Sequence, residues 1–253
     1  MTGGQRPGLP PTLPAATVRQ MFGQVASRYD LLNHLLSCNL DRFWRRALVR
    51  AAGRTQAPRR LLDVCCGTGD VGLAFARPPA AATTVVGLDF STEMLELGAA
   101  KVRRRGTARI TFVTGDALEL PFLDQSFDLV TVAFGIRNVE RPAEGLREVL
   151  RVLRPGGEAL VLEFAVPRGA LVRALYMTYF RRILPILGRL VSQAKMDAYR
   201  YLPLSVEAFP SHEAFLSLLR EAGFDAVCAQ PLSCGAVMLY RARRPRTRGE
   251  EAA

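Results

Sequence analysis

The chain has 253 residues, 49% hydrophobic and 23% charged, with 34 Lys plus Arg against 23 Asp plus Glu and a net charge of +11. That apolar share excludes wholesale disorder, and the length suffices to bury a core without disulfide or metal staples. Nearly all the excess is arginine, since Lys101 and Lys195 are the only lysines, and it attracts nucleic acid, anionic lipid or anionic substrates without choosing among them.

In chain order, residues 1–16 are rich in Gly and Pro and lack the apolar core of a signal peptide, so a flexible leader and no export are expected. Residues 17–53 read as helices, with Arg19, Phe22, Val25, Ala26 and Tyr29 at helical spacing and a second run, Asp41 to Ala52, opening on Asp41 as N-cap. From Arg59 short apolar runs alternate with longer amphipathic ones. Strands are expected at Leu61 to Cys65, Thr84 to Leu88, Ile110 to Val113, Phe127 to Val132 and Glu158 to Phe164; helices are expected near 70–77, 91–104, 142–153 and 211–222. Phe224 to Pro231 and Ala236 to Ala242 read as a closing strand pair.

Leu171 to Val191 is apolar, but Arg173, Arg181, Arg182, Pro185 and Arg189 interrupt it, so it fails as a membrane span. The expected organisation is one domain over 17–242, with 17–53 a helical lid, 171–210 a helical insertion over the substrate site, and 243–253 a basic flexible tail. Cys38, Cys65, Cys66, Cys228 and Cys234 are odd in number and lack CxxC spacing, which points to reduced thiols in a cytoplasm and to no metal site.

Alternating strand and helix imply a mainly parallel sheet with helices on both faces, whose ligands bind beyond the carboxyl ends of the strands. After the first strand comes Asp63-Val64-Cys65-Cys66-Gly67-Thr68-Gly69-Asp70, where glycines permit a tight turn and the close approach of a ligand. The second strand ends at Asp89, placed to accept from both hydroxyls of a ribose, with Ser91 free to cap the following helix. The third ends at Asp116-Ala117, where a carboxylate accepts from an adenine amino group and a backbone N–H meets a ring nitrogen. Gly67, Gly69 and Gly72 satisfy GxGxxG, which alone leaves a nicotinamide dinucleotide and S-adenosylmethionine open. Asp63 inside the first strand, the carboxylate at 116 and the lack of a second mononucleotide-binding half favour S-adenosylmethionine.

At this point the chain resembles the class I S-adenosylmethionine-dependent methyltransferases, and among them the ubiquinone/menaquinone biosynthesis C-methyltransferases. Four strings over residues 19–240 carry the resemblance: Met21 to Asn33, Leu62 to Asp70, Ala133 to Asn138, and Ala198 to Pro203 followed by Ser205 and Phe209-Pro210. Ala133 stands where some relatives carry serine, Cys65-Cys66 replaces a small pair, and Ser192 to Met196 is about a residue longer than usual. The resemblance implies a Rossmann-like fold, a mainly parallel seven-stranded sheet with an antiparallel closing strand. It implies S-adenosylmethionine held by Asp63, Gly67, Thr68, Gly69, Asp89, Asp116 and Ala117.

It further implies methylation of a prenylated quinol ring, demethylmenaquinol to menaquinol or the equivalent ubiquinone step. Such a ring carbon becomes nucleophilic when a hydroxyl of pKa about 10 ionises, at a cost of about 4 kcal/mol at pH 7. One poorly solvated cation near 4 Å is worth about that much. Arg137 is the expected cation, a fixed charge holding the oxyanion; Asn138 is expected to orient the second oxygen or a water. Tyr29, Asp30 and Asn33 share the N-terminal helix, which is expected to close over the quinol. His34 and His212 are expected at the surface or in caps. Residues 134–138 lack the proline-rich block of a base-flipping site, so no nucleic acid partner is expected. The apolar stretch from Leu171 offers a path for a prenyl tail with its arginines toward lipid headgroups, so peripheral contact with the inner membrane face is expected, and a homodimer is left open.

Overall fold

The computed structural model describes residues 15–53, 60–76, 83–107, 109–183 and 197–246. Seven strands form one sheet: β1 (Arg60–Val64), β2 (Thr84–Asp89), β3 (Ile110–Thr114), β4 (Phe127–Ala133), β5 (Leu153–Phe164), β6 (Asp225–Leu232) and β7 (Val237–Arg243). Their order is β3-β2-β1-β4-β5-β7-β6. The first five run parallel, and β7 lies antiparallel to both β5 and β6. This is the mainly parallel sheet that the pattern of short apolar runs predicts, in the seven-stranded Rossmann-like form that the resemblance implies.

Strands buried on both faces read as continuous apolar runs because each face has its own core. Leu62, Val64, Val130 and Val132 pack on one side with Leu146 and Val149 of α5 (Pro142–Val152) and Phe215 and Leu219 of a later helix, His212–Glu221. Leu61, Val85, Leu129 and Leu160 pack on the other. There they meet Trp44 and Leu48 of α2 (Leu40–Ala52), Val71 and Phe75 of α3 (Asp70–Phe75), and Val102 of α4 (Thr92–Arg105). α1 (Ala15–Leu36) precedes this layer.

Between β5 and the helix at 212 come α6 (Ala170–Thr178), a π-helical turn Tyr179–Ile183, and α7 (Asp197–Ala208); His212–Glu221 is α8. Residues 184–196 of the expected insertion lie outside the described residues. Among the described residues no helix is long and apolar enough to cross a membrane.

Several boundaries differ from the sequence expectation. β1 ends at Val64, because Cys65 turns the chain at φ +56°. β5 opens at Leu153, five residues before Glu158: the Arg-Pro-Gly-Gly stretch reads as a loop but is absorbed by an irregularity opposite Phe127 to Leu129, with Gly156 at φ +74°.

The N-cap of α2 is Asn39, left-handed at φ 60°, and not Asp41. Asp41 sits buried in the first turn, taken by His34, Ser37 and Arg45. Ser91 caps α4, accepting from the Met94 N–H, which leaves Asp89 free for other work.

At the ends of the chain, residues 1–14 of the expected leader lie outside the description and Ala15 and Ala16 already belong to α1. The expected tail begins inside structure. Arg243 closes β7, and Arg244 Nη1 lies within hydrogen-bond distance of the carbonyls of Leu150, Arg151 and Leu153, where α5 gives way to β5.

Candidate active site

The loop after β1 is shaped from below. Gly69 adopts φ +78°, and a Cβ there would lie 2.7 Å from the Phe112 ring, which also occupies the space beside Gly87 and Gly98. Gly69 therefore answers to its backbone angle and to Phe112, more than to the approach of a ligand. The loops after β1 and β4 touch as well, since a Cβ on Gly135 would lie 2.3 Å from Cys65 Cβ.

Asp89 ties the next loop to this one. Its Oδ2 accepts from the Gly67 N–H at 2.8 Å and its Oδ1 from the Ser91 N–H at 3.0 Å. Burial pushes its pKa up, while the N–H groups of Ser91 and Gly67 work against that. Each oxygen keeps a second lone pair, so a ribose diol is a chemically fitting partner.

Asp63 is 1% exposed; Oδ1 accepts from Thr131 Oγ1 at 2.7 Å, and Oδ2 has no hydrogen-bond partner among the described residues. Burial pushes this carboxyl up to about 7, the Thr131 bond opposing and the charges of Asp89 and Asp70 adding to it. An orphaned buried acceptor beside the loop fits the cationic amine of an amino acid end.

The open chain holds this carboxyl near 4 and the fold near 7. Between those values the folded state keeps the extra proton, so stability is greatest at low pH and falls as pH rises through the window. About three pH units at 1.36 kcal/mol each put the total on the order of 4 kcal/mol. Asp63→Asn keeps an acceptor for Thr131 and removes the titration. Its melting temperature is expected to exceed the parent's at pH 8 and to converge on it at pH 4, with cofactor affinity down about tenfold. A melting difference that ignores pH would remove Asp63 as the titrating group.

Asp116 is exposed and accepts from the Leu118 N–H at 2.9 Å, and Ala117 behind it is buried. Both stand at the end of β3, on the same sheet edge as Asp89.

Beside these loops opens a cavity of about 570 Å³. Cys65, Cys66, Gly67, Thr68 and Asp70 form its cofactor-loop side, and Asp30 and Asn33 of α1 line it too. Trp44, Phe134, Phe164, Val172, Leu175, Tyr176 and Tyr179 give it a largely aromatic and aliphatic wall. Phe134 and Phe164 have ring centroids 4.6 Å apart, and Trp44 stands 5.7 and 5.9 Å from them, its Nε1 donating to Ser233 Oγ at 2.8 Å. Burial and the neighbouring carboxylates push both the Cys65 and Cys66 thiols up, which keeps them protonated and weakly nucleophilic.

Arg137 lines this cavity at 7% exposure, but it is not the lone cation of the sequence reading. Nη1 donates to Glu163 Oε1 at 2.7 Å and to the Phe134 carbonyl at 2.5 Å, and the guanidinium stands 5.4 Å over the Phe164 ring. Glu163 is fully buried; burial pushes its carboxyl up and Arg137 pulls it back. Arg137 Nε is buried with no hydrogen-bond partner among the described residues.

Asn138 takes a different place from the one expected. Its Oδ1 accepts from the Tyr201 hydroxyl at 3.1 Å, and it is Tyr201 that lines the cavity. Asp30 lines the cavity and also accepts from Thr68 Oγ1 at 2.6 Å and pairs with Lys101, beside the loop after β1. The side chain of Tyr29 lies outside the described residues. His34 is paired with Asp41, and His212 opens α8 beside Glu213.

Glu163, Lys101, Trp44 and Tyr201 are the residues sequence reasoning passed over. Tyr201 lies within a motif already singled out; the others carry no local signal, because their partners are distant in the chain.

The sequence model of the ubiE/COQ5 methyltransferase family matches residues 12–244. The ubiquinone/menaquinone biosynthesis C-methyltransferase UbiE of Geobacter sulfurreducens is 46% identical over 224 residues, 88% of this chain and 86% of that protein. The demethylmenaquinone methyltransferase of Thermus thermophilus is 46% identical over 226 residues, 89% of this chain and 100% of that one. Among solved structures, the [4+2]-cyclase SpnF superposes with a TM-score of 0.69 at 21% identity, covering 96% of this chain and 100% of its own. That likeness shows the fold alone and carries no activity across. The family match and the two relatives do carry more: the chain belongs to the ubiE/COQ5 methyltransferase family and is an enzyme that uses S-adenosylmethionine.

Proposed function

We propose that this enzyme C-methylates the ring of a reduced prenylated quinol, and that its acceptor is demethylmenaquinol. The carrying observation is the Arg137–Glu163 pair set into an aromatic and aliphatic cavity beside the cofactor loops. An apolar wall suits a flat ring with an isoprenoid tail. The relative of equal identity that names a single acceptor names demethylmenaquinone, which favours it over the ubiquinone precursor.

When bound, S-adenosylmethionine supplies an electrophilic methyl group on a sulfonium. Asp63, Asp89 and the loop around Gly67 and Thr68 would hold its polar ends, with Asp116 and Ala117 at the adjoining strand end.

The protein's part at the acceptor is electrostatic. Glu163 cancels much of the Arg137 charge, so the full 4 kcal/mol of a bare cation is not on offer at the ring hydroxyl. What remains is the part of the guanidinium that Glu163 and the Phe134 carbonyl do not take, a fixed and charged N–H donor, and a hydrogen bond to a charged group contributes about 1.5–3 kcal/mol. Glu163 meanwhile fixes where that donor stands. Tyr201, held by Asn138, offers a second polar group across the same cavity.

Leu171 and Leu175 of α6 are 73% and 66% exposed, and Val172 and Leu175 also line the cavity. With Arg173 exposed nearby, and Arg168 and Arg181 exposed in pairs with Glu213 and Glu207, this face supports peripheral contact with the inner surface of a membrane, where a prenylated quinol resides.

Incubation with labelled S-adenosylmethionine and chemically reduced demethylmenaquinone, with the ubiquinol precursor in parallel, is expected to label the first at least tenfold faster. Inverted rates would assign the ubiquinone step, equal rates both steps, and no label in either would reject quinol methylation.

A further inference from the structure

Lys101 is one of only two lysines in a chain with 34 basic residues, and the methyl-transfer scheme makes no use of it. It stands on α4 with its side chain 11% exposed, and its ammonium meets oxygens from three separate segments. Asp30 Oδ2 of α1 lies at 2.5 Å, Thr68 Oγ1 of the loop after β1 at 2.7 Å, and Asp70 Oδ1 at the start of α3 at 2.9 Å. A tetrahedral ammonium has three N–H donors to direct at three such acceptors, and a planar guanidinium does not match that arrangement. Thr68 closes the ring by donating its single proton to Asp30 Oδ1 at 2.6 Å.

α1 runs across the cofactor end of the sheet. In its first turns Val18 and Met21 are buried, Arg19 stands 5.6 Å over the Phe90 ring, and Gly23 packs on Glu93, so the helix passes the loop that carries Asp89. Further along, Asp30 is drawn down onto Thr68. Asp30 and Asp70 both lean on the same ammonium; burial pushes Asp70 up, but Lys101 and Arg45 outweigh it and hold the carboxyl below its ordinary value. Without Lys101 the two carboxylates would lose the cation between them and repel, so α1 would be driven from the loop as well as released.

We propose that Lys101 is the pin of a latch: a positioning residue that holds α1 against the cofactor loop and sets how fast S-adenosylmethionine enters and leaves. This rests on the cofactor assignment and is independent of which quinol is methylated.

The test uses the full chain and S-adenosylmethionine alone. In Lys101→Met, association and dissociation rates measured by stopped flow are both expected to rise at least fivefold. Amide exchange of α1 in the cofactor-free protein should rise with them. Asp30→Ala removes both acceptors of the α1 arm and leaves Lys101 on Thr68 and Asp70, so it should give the same kinetic signature at a near-parental melting temperature. Lys101→Arg should recover part of the effect.

A merely structural lysine would lower the melting temperature and leave the association rate unchanged or slower. Parental rates and parental α1 exchange in Asp30→Ala would overturn the latch, even if Lys101→Met fails to fold. Because no quinol is present, that failure would leave the methyl acceptor untouched, and a wrong acceptor would leave this measurement intact.

Discussion

Arg137→Ala is expected to lower methyl transfer about a thousandfold while affinity for S-adenosylmethionine stays within about threefold of the parent. Removing one preorganised donor to a developing oxyanion costs about 10²–10³ in rate. On the reading proposed above, the guanidinium N–H that Glu163 and the Phe134 carbonyl do not take serves as such a donor. The same substitution also leaves Glu163 fully buried without its cation, and breaking a buried pair from one side costs about 3–5 kcal/mol. Loss of rate and loss of stability are therefore expected together, and a single variant cannot separate them.

Adding Glu163→Gln does. The double variant has no uncompensated buried charge, so most of the lost melting temperature should return, while the missing donor keeps turnover low. If turnover instead recovers in step with the melting temperature, Arg137 is a structural residue and the oxyanion assignment fails.

Asp89→Ala should raise the S-adenosylmethionine dissociation constant at least tenfold in calorimetry. The carboxylate accepts from the Gly67 and Ser91 N–H groups, and so holds the loops after β1 and β2 together as well as offering lone pairs to a ligand. Each hydrogen bond to a charged group contributes about 1.5–3 kcal/mol, and a single one is worth a factor of ten or more. Asp89→Asn keeps one acceptor oxygen and should fall between alanine and the parent. Parental affinity in both variants would remove Asp89 from the site.

The two experiments divide the chemistry of the acceptor cavity from that of the cofactor loops beside it. Arg137 variants should spare cofactor binding and Asp89 variants should impair it, because the two residues stand at different strand ends: Asp89 closes β2, and Arg137 follows β4 in the turn Ile136–Asn138.

The placement of the expected cofactor residues at strand ends was legible in the chain. Asp63, Gly67, Thr68 and Asp89 stand just inside or just after strands whose apolar runs are plain, and a doubly wound sheet carries such positions to one edge. The reading of Gly69 was right about the turn and incomplete about its cause, since Phe112, a β3 residue, fills the space a Cβ would need. Asp41 looked like a cap because caps are recognised from local residue type; its carboxylate was already claimed by His34, Ser37 and Arg45.

By itself, then, the sequence determined the alternation of strands and helices, the mainly parallel sheet, and the row of carboxylates and glycines at its carboxyl edge. These follow from periodicity and chain direction, which are local. Only the tertiary structure decided the charge pairs. Glu163 meets Arg137 across 26 residues, and Thr68 meets Asp30 and Lys101 across 38 and 33. Which of 34 basic residues is buried against which carboxylate depends on how the elements pack, and hydrophobic patterning places elements without specifying their ion pairs.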